Sequence, residues 1–440
     1  MTHPPLSDFI VADLGECTVP SPLRDTRFID AEERVLYRDD LDELRVYLQA
    51  GVEPPSFELA GPRERIFFDP GTLKCGIVTC GGLCPGLNDA IRAIVIGLRE
   101  KYCVQDVYGF QFGYEGLVEK FGHKLVQLTS LRVGRIHELG GTVLGTSRGG
   151  QPAAEMVDTL QRLGIGLLFA IGGDGTLKGA HEIAEEVRRR GLVIGVIGVP
   201  KTIDNDISFV ETSFGFETAV AAARHATRAA YVEASGHRNG IGLVKLMGAD
   251  SGFIAGFAAL ADTHVSMCLI PESPFTLAGL VRALRERIAR DGHAVIIVAE
   301  GAGQDLLAAT GERDASGNVR HGDIGLFLKE QIPQRCRADG LEVSLKYIDP
   351  SYIIRSLPAN ARDAAFCQLL GYAAVDAGMA GKTDMVVGLW HRRFTHVPIP
   401  LAGSSRKKVN TNGRLWQGIL AATGQPRDMR QLIEAARVRL

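Results

Sequence analysis

From about residue 73 onward, short unbroken apolar runs alternate along the chain with longer amphipathic stretches. The unbroken runs predict strands at 74–79, 164–173, 193–200, 241–248, 293–301 and 383–390. Amphipathic stretches of helical length predict helices at 88–100, 176–190 and 214–234. Because the strands are apolar throughout rather than alternately apolar and polar, they are typical of parallel strands covered on both faces. The alternation of strands and helices predicts an α/β fold.

The same pattern indicates how the chain is divided. Residues 1–70 are rich in Pro, Asp, Glu and Arg and show weak periodicity, so we interpret them as an N-terminal extension that packs on or beside the core. The alternating region predicts a first α/β lobe over residues 71–210 and a second over 211–380. Residues 381–440 are expected to pack back on the body of the protein.

Composition narrows the class of protein. The chain has 440 residues, 45% hydrophobic and 23% charged, which is close to the average for soluble globular proteins. A net charge of −2 provides no positive field that would attract nucleic acid or an anionic membrane. No apolar run is long enough to span a membrane, and the N-terminus lacks the pattern of a secretory signal. We therefore expect no nucleic-acid or membrane partner and a cytoplasmic location.

The eight cysteines are scattered and are expected to be structural. Cys80 and Cys84 lie four residues apart, but no second Cys/His pair completes a zinc site. Scattered cysteines fit a reducing compartment.

Glycine is enriched to 52 residues and clusters beside the apolar runs, where strands are followed by loops. In α/β sheets, ligands bind at the loops that follow the strands. The first such loop, residues 79–88 (TCGGLCPGLN), would let the backbone approach a phosphate at the N-terminus of the next helix. It matches neither the P-loop nor the dinucleotide fingerprint, and a plain tight turn is the alternative.

The second loop, residues 171–176 (IGGDGT), places the single carboxylate of Asp174 among glycines. A carboxylate beside phosphate oxygens would repel them unless it holds Mg²⁺, directly or through water. The alternative is that Asp174 only caps the following helix. We favour the metal, because a cap does not require three glycines.

The third loop, residues 200–206 (PKTIDND), combines Asp204 and Asp206 with Lys201 and Thr202. One acid could serve as a general base toward a hydroxyl group while the other holds geometry or a metal. An Asx-type turn is the alternative.

Three cations in other loops complete the set. Arg148 could stabilise charge on a transferring phosphoryl group, and Lys346 and Arg355 could bind a sugar phosphate. Each could instead form a surface ion pair. Taken together, phosphate-binding loops, a magnesium ligand, a base and cations predict phosphoryl transfer.

Five segments in this order, GGLCPGLN, GGDGT, PKTIDND, MGADSGFIA and KYIDPSYIIRS, resemble the 6-phosphofructokinase family over residues 73 to 381. The resemblance implies two similar doubly wound α/β lobes with mostly parallel sheets and an active site in the cleft between them. It implies transfer of the γ-phosphoryl group of ATP, with Mg²⁺, to the 1-hydroxyl of fructose 6-phosphate in glycolysis. The lobe 71–210 would bind the nucleotide and the lobe 211–380 the sugar phosphate. Relatives are homodimers or homotetramers, so we expect one of these.

By position, the resemblance also implies residue roles. Asp204 would accept the proton of the 1-hydroxyl, and Asp174 and Asp206 would serve the metal. The implied ATP-site residues are Gly82, Arg148, Gly149, Gly173, Asp174, Gly175 and Thr176. The implied sugar-phosphate residues are Thr202, Ile203, Asp204, Met247, Gly248, Ala249, Glu300, Lys346, Tyr352 and Arg355.

The resemblance also bears on the phosphoryl donor. Family members that use pyrophosphate usually carry Asp at position 175 and Lys at 201, whereas short bacterial ATP users carry Gly at both. The pair Gly175 and Lys201 is similar to the long ATP-using branch of plants and trypanosomatids. Glycine leaves room for the α-phosphate and its nucleoside, whereas a carboxylate would crowd and repel them. We predict ATP, with a pyrophosphate-dependent enzyme as the alternative.

The chain departs from the family pattern at three positions. Ala249 stands where an arginine usually follows Met-Gly, which motivates a further alternative, a catalytically weak sugar-phosphate-binding paralogue. Gly240 stands where short bacterial enzymes present an arginine across a subunit interface. Arg92 matches one effector-site arginine of those enzymes, but Ile96 replaces the other. Their regulation by adenosine diphosphate or phosphoenolpyruvate is therefore not carried over.

Overall fold

The structure is a computed structural model that describes residues 4–307 and 321–430. The chain divides into two compact units, each assembled from separate stretches of sequence. The first unit consists of Met1–Ile203, Ile207–Gly215 and Ser356–Arg406. The second unit consists of Asp204–Asp206, Phe216–Arg355 and Lys407–Leu440.

The strands of the described residues are numbered in chain order. They are β1 (Ala12–Asp13), β2 (Val19–Pro20), β3 (Arg34–Leu36), β4 (Ser56–Leu59), β5 (Arg65–Ile66), β6 (Lys74–Thr79), β7 (Asp106–Phe110), β8 (Leu125–Gln127), β9 (Leu167–Gly172), β10 (Gly195–Pro200), β11 (Gly240–Leu246), β12 (Met267–Leu269), β13 (His293–Ala299), β14 (Ser344–Ile348), β15 (Lys382–Thr383), β16 (Met385–Trp390) and β17 (Arg393–Pro398).

The α-helices of the same residues are numbered likewise. They are α1 (Leu41–Ala50), α2 (Leu87–Ile96), α3 (Ser130–Val133), α4 (Ala153–Leu163), α5 (Asp174–Arg189), α6 (Phe216–Ser235), α7 (Phe253–Ala261), α8 (Leu277–Asp291), α9 (Ile324–Ala338), α10 (Ser351–Ser356), α11 (Ala361–Met379), α12 (Ile399–Ala402) and α13 (Arg414–Thr423). Helix α2 continues as a π-helical turn over Gly97–Lys101, so the predicted helix at 88–100 changes its hydrogen-bond pattern near its end.

The first unit is built on a nine-stranded sheet in the order β3-β4-β17-β16-β10-β9-β6-β7-β8. Its five central strands, β16, β10, β9, β6 and β7, are parallel, and the strands toward both edges are antiparallel. Every residue of β9 and β10 is buried, and α5 and α11 both pack against β10. The prediction of parallel strands covered on both faces is confirmed for this part of the sheet.

The second unit contains a fully parallel sheet in the order β12-β13-β11-β14. Helix α6 packs against β11 and β13, α8 packs against β13, and α9 packs against β11 and β14. The core between these elements is aliphatic, with Ile241, Leu243, Ile296 and Leu280 fully buried. The predicted α/β class with mostly parallel sheets is confirmed.

The residues before 70 add short strands to the first unit. Strand β4 pairs with β17, and β1 pairs with β15. Phe9, Phe57 and Trp390 belong to one aromatic cluster, with the ring of Phe9 5.0 Å from Phe57 and that of Phe57 5.7 Å from Trp390. Large aromatic side chains bury much apolar area, so this cluster holds the segment on the sheet.

A buried polar group stabilises the same junction. The Glu58 carboxylate of β4 lies 3.0 Å from the Lys382 ammonium and accepts a hydrogen bond from Nδ1 of the buried His396 at 3.3 Å. Burial would raise the pKa of Glu58, but the hydrogen bond with His396 and the charge of Lys382 lower it to about 2. Burial lowers the pKa of His396.

All eight cysteines are free thiols, and six of them are buried. Within residues 4–307 and 321–430, no helix combines the length and the apolar character needed to cross a lipid bilayer.

Candidate active site

Two glycine loops of the first unit are joined by backbone hydrogen bonds. Strand β6 ends at Thr79, and Gly86, with a left-handed φ of 97°, precedes α2. The Gly81 N–H donates to the Ser147 carbonyl at 2.9 Å, and the Thr146 hydroxyl donates to the Gly81 carbonyl at 2.7 Å. The loops that carry Gly82 and Arg148 with Gly149, which are far apart in sequence, are therefore neighbours in this unit.

The third glycine loop begins helix α5. The helix starts at Asp174, and its N-cap is Gly173, which makes no side-chain capping bond. The alternative that Asp174 is the N-cap residue is therefore wrong. Its side chain is 50% exposed, and the Arg406 guanidinium lies 3.4 Å from its Oδ2. A Cβ added at Gly175 would have nothing within 4 Å apart from its chain neighbours and the helix backbone, so no other part of the protein fills the space at this position.

Lys201 links these loops from the end of β10. The residue is buried, its Nζ donates to the Gly82 carbonyl at 2.8 Å, and its N–H donates to the Gly172 carbonyl at 2.9 Å. The Thr202 carbonyl accepts a hydrogen bond from the Ser213 hydroxyl at 2.6 Å. The donor-selective pair of the sequence prediction, Gly175 and Lys201, thus lies on two connected loops of one unit.

Arg148 and Thr176 differ in their surroundings. Arg148 is exposed, and it forms no ion pair within the part of the chain that the structure describes. Thr176 is buried in the first turn of α5. The Thr176 N–H donates to the Gly173 carbonyl at 2.9 Å, so the N–H groups of Gly173 to Gly175 are the ones that could donate to an anion at this helix start.

Asp204 to Asp206 belong to the second unit, although they follow a strand of the first. The Ser251 hydroxyl donates to the Asp204 carbonyl at 3.2 Å, and the Lys407 N–H donates to the Asp206 carbonyl at 2.7 Å. The Lys407 Nζ lies 3.3 Å from the Asn205 side-chain oxygen. Sequence reasoning missed Lys407, because no local spacing relates it to a segment two hundred residues earlier.

The loop after β11 lies against the loop after β13. Gly248 has φ 125°, and the Gly301 N–H donates to the Gly248 carbonyl at 3.1 Å. A Cβ at Gly301 would collide with the Ala249 carbonyl, so only glycine fits there. Met247, Gly248 and Ala249 are therefore held next to Glu300, as the sequence prediction requires of one binding site.

A cluster of charged side chains surrounds Lys245, which lies near the end of β11. The Lys245 Nζ is 2.8 Å from Asp349 and 2.9 Å from Asp323, and its side chain is only 12% exposed. Asp349 accepts the Ser351 N–H at the start of α10, and Asp323 caps α9 by accepting the Leu326 N–H. Lys245 therefore stabilises the starts of two helices.

The surroundings shift the pKa values of this cluster. Burial raises the pKa of Glu300, although the charges of His321, Lys245 and Arg355 oppose that rise. Burial would lower the pKa of Lys245, but its hydrogen bonds with Asp349 and Asp323 raise it. Sequence reasoning also missed this lysine. The available signal was a charged residue inside an otherwise apolar strand, which requires a buried partner.

Helix α10 carries two of the predicted sugar-phosphate residues. The Arg355 guanidinium lies 4.6 Å from the ring centroid of Tyr352, and the tyrosine is exposed. Lys346 is exposed on β14, an edge strand of the sheet, opposite Gly242 of β11. The second unit thus supplies an arginine, lysines and a partly buried glutamate, which are suited to a phosphorylated polyol.

One further set of possible metal ligands lies in the first unit. His181, Glu185 and Asp384 have ligand atoms within 4.8 Å of one another. Arg188, however, lies 2.6 Å from Glu185 and 3.6 Å from Asp384. Because Glu185 is in direct contact with Arg188 and Asp384 is hydrogen-bonded to His181 at 2.9 Å, we assign no metal to this cluster.

Glycine loops that follow the strands of one α/β unit, and charged side chains on the other, are the kinds of group that phosphoryl transfer requires. A model of the phosphofructokinase family matches residues 74–378. The chain belongs to the phosphofructokinase family, and the resemblance predicted from the five segments is confirmed.

Curated relatives cover most of the chain. It is 46% identical over 437 residues to the ATP-dependent 6-phosphofructokinase of Borreliella burgdorferi, covering 96% of this chain and 98% of that one. It is 47% identical over 392 residues to the ATP-dependent 6-phosphofructokinase of Trypanosoma cruzi, covering 88% and 81%. The crystal structure of a pyrophosphate-dependent phosphofructokinase from Marinobacter aquaeolei has the same fold, with a TM-score of 0.65, 19% identity, and coverage of 80% and 91%.

Proposed function

We propose that the chain is an ATP-dependent 6-phosphofructokinase, which transfers the γ-phosphoryl group of ATP to the 1-hydroxyl of fructose 6-phosphate. The observation that carries this proposal is the 46% identity to a protein of that name over nearly the whole of both chains. The Marinobacter structure, at 19% identity, supports the fold alone and says nothing about the donor.

The open space at Gly175 supports ATP as the donor. A Cβ there would have no neighbour within 4 Å, so nothing in this unit fills the position beside Asp174. A nucleoside triphosphate needs such room for its α-phosphate, whereas an aspartate would place a second negative charge in it. The N–H groups of Gly173 to Gly175 at the N-terminus of α5 would bind phosphate oxygens.

Asp174 fits Mg²⁺. Its carboxylate is half exposed, and Mg²⁺ in proteins keeps several waters and takes one or two carboxylates together with substrate phosphates. When bound, the ion would neutralise charge on the phosphate oxygens. We assign Asp206 as a second carboxylate that supports the metal or the base.

Asp204 is our candidate for the general base. In the proposed step, its carboxylate takes the proton of the 1-hydroxyl, and the hydroxyl oxygen forms a bond to the γ-phosphorus. The bond from that phosphorus to the β–γ bridging oxygen breaks, and ADP leaves with the electron pair. Arg148, which has no ion pair among the described residues, would stabilise the negative charge of the transferring group.

The sugar phosphate would bind in the second unit. Arg355 and Lys346 would pair with the 6-phosphate, and Glu300 would accept hydrogen bonds from sugar hydroxyls. Backbone groups of Met247 to Ala249 would position the sugar. Tyr352, whose ring lies 4.6 Å from the Arg355 guanidinium, would orient that arginine. We expect a homodimer or homotetramer.

Lys407 could replace the positive charge that is missing because residue 249 is an alanine. Its ammonium is 3.3 Å from the side chain of Asn205, and its N–H is bonded to Asp206, so the cation lies beside the segment that carries Asp204. We assign Lys407 as a source of the positive charge that an arginine at 249 would supply in other family members.

A coupled assay of turnover with each donor tests the proposal. With fructose 6-phosphate saturating, we expect turnover with ATP and a kcat/KM at least about 100-fold lower with pyrophosphate, a difference near 2.7 kcal/mol. The reverse order would assign the pyrophosphate-dependent alternative. Binding of fructose 6-phosphate by calorimetry without turnover on either donor would assign the weak paralogue. The Asp204→Asn variant, purified identically, controls for a contaminating kinase.

A further inference from the structure

Phe112 combines an exposed aromatic ring with an unfavourable backbone conformation. The residue is 42% exposed and has φ 60° and ψ 43°, in the left-handed region. A large side chain there crowds its own backbone, so the surroundings must hold it in place. Gly113 is also left-handed, and a Cβ on it would lie 2.8 Å from the Cys80 sulfur and 2.9 Å from the Thr79 carbonyl.

The turn that carries Phe112 touches each of the three anion-binding loops of the first unit. Gly113 lies against the end of β6, as its contacts with Thr79 and Cys80 show. The Phe112 N–H donates to the Leu144 carbonyl at 2.8 Å, close to the loop of Arg148. The Tyr114 hydroxyl donates to the Thr176 carbonyl at 2.6 Å, in the first turn of α5.

The ring of Phe112 has a defined position beside these loops. It covers Gly145, where a Cβ would lie 2.8 Å from two ring carbons, so only glycine allows this close contact. The His123 ring is 4.7 Å from the Phe112 ring, and Phe121 stacks on His123 at 5.9 Å with an interplanar angle of 5°. These neighbours support the ring while much of its surface stays open to solvent.

We infer that Phe112 provides the aromatic face on which the nucleobase of the phosphoryl donor stacks. The inference rests on the proposed use of a nucleoside triphosphate and adds a contact for its base. Glycine amides can bind phosphate oxygens, but they offer no surface on which a base could stack. An exposed, supported aromatic ring next to those loops provides what they lack, because every base has a π-face that stacks on such a ring. Position 112 has a left-handed backbone that glycine would adopt without strain. A function for the ring would explain why a phenylalanine stands there instead.

Calorimetry on the full-length protein tests the inference with two ligands. The dissociation constants of ATP and of inorganic tripolyphosphate, each with Mg²⁺, are measured for wild type and for Phe112→Leu. We expect the leucine to weaken ATP binding by roughly 5- to 100-fold, the range for one base–aromatic stack, and to leave tripolyphosphate within about twofold. The Phe112→Tyr variant should bind ATP like wild type. Unchanged ATP binding in Phe112→Leu, or an equal loss for both ligands, would overturn the inference.

Phe121→Leu is the matched control, because Phe121 is 39% exposed and contacts the same histidine. It should leave both constants within about twofold of wild type, and a loss of ATP binding equal to that of Phe112→Leu would overturn the assignment to Phe112. Phe112→Gly separates the ring from the backbone: it should weaken ATP binding while its melting temperature is unchanged or higher. A glycine variant that binds ATP normally counts against stacking.

Fluorescence gives a readout that does not depend on turnover. In Phe112→Trp, ATP should quench the added emission and tripolyphosphate should not. If wild type turns over ATP but Phe112→Leu binds it normally, this inference fails and the proposed function stands. If wild type binds tripolyphosphate and not ATP, the proposed function itself fails. If Phe112→Leu changes only the molar mass by light scattering, the ring is a subunit contact and the inference is wrong.

Discussion

The two groups of candidate site residues are built in different ways. In the first unit, the glycine loops are joined by main-chain hydrogen bonds from Gly81 to Ser147 and by one buried lysine, Lys201. In the second unit, the corresponding framework is a cluster of charged side chains around Lys245. Loops held by main-chain hydrogen bonds require glycine where a Cβ would not fit. A cluster of buried charges is stable only when every charged partner is present. A substitution at the open position of Gly175 should therefore change affinity alone, and one at Lys245 should change affinity and stability together.

The largest effect is expected at Asp204, the residue of the second unit that we propose as the general base. Asp204→Asn keeps the shape of the side chain and removes the carboxylate, so kcat should fall by about 10²–10⁴, the usual contribution of a general base. The KM values for both substrates should change little. The coupled assay measures this, and a variant with nearly wild-type kcat removes Asp204 from the role of base.

The second prediction concerns Gly175, in the glycine loops of the first unit. Because a Cβ there would meet nothing within 4 Å apart from its chain neighbours and the helix backbone, Gly175→Asp should fold normally and melt at the wild-type temperature. Its charge should repel the donor phosphates, lowering kcat/KM for ATP by about 30- to 300-fold and leaving the KM for fructose 6-phosphate unchanged. Gly175→Ala is the control and should lose less than about fivefold. An equal loss in both variants would mean that bulk rather than charge selects the donor.

The third prediction concerns Lys245, in the charged cluster of the second unit. Lys245→Met leaves the partly buried carboxylates of Asp323 and Asp349 without their cation, which loosens the start of α10. We expect the KM for fructose 6-phosphate to rise about tenfold and the free energy of unfolding to fall by about 1–3 kcal/mol, less than for a fully buried pair because both acids are partly exposed. The KM for ATP should not change.

Denaturant titration and steady-state kinetics measure these quantities, with the exposed Lys124→Met as the control. Adding Asp323→Asn and Asp349→Asn to Lys245→Met should recover part of the stability, because no uncompensated charge then remains. A normal KM combined with reduced stability would show that the cluster serves folding only.

The smallest effect concerns pH. Because burial raises the pKa of Glu300, the folded protein holds its proton above the pH at which the unfolded chain releases it. The contribution of this group to stability is therefore fully present below the ordinary glutamate pKa and is lost as the pH rises through the folded value. Urea titrations of wild type and Glu300→Gln at pH 5 and pH 7.5 should show the variant gaining stability relative to wild type at the higher pH. Exposed Glu119→Gln should show no such gain, and a gain equal in both would refute the buried origin.

Much of the fold was predictable because its signals are local. The strand predicted at 74–79 is β6 (Lys74–Thr79), and the one at 241–248 is found as β11 (Gly240–Leu246). Unbroken apolar runs identify such strands whatever their neighbours are. Strand β4 was not predicted, since its four residues carry little periodicity and it forms by pairing with β3 and with β17, the latter more than three hundred residues later.

The candidate site residues also differ in whether a local sequence pattern identifies them. The loops after the strands could be predicted because glycine and aspartate stand out beside apolar runs. The partners of Lys245 and Lys407 could not be predicted, because they come from distant parts of the chain: Asp323 and Asp349 for the first, and residues 204–206 for the second. No spacing rule connects such residues before the strands are arranged.

The sequence by itself determined the elements, their α/β alternation and the glycine loops that follow the strands, because these depend on short-range patterns of apolar and small residues. The tertiary structure alone decided the order β3-β4-β17-β16-β10-β9-β6-β7-β8, the assignment of Asp204–Asp206 to the second unit, and the cations that lie against the acidic residues. The physical reason is that charge pairs and strand pairs form through space between segments whose separation along the chain carries no information about their distance.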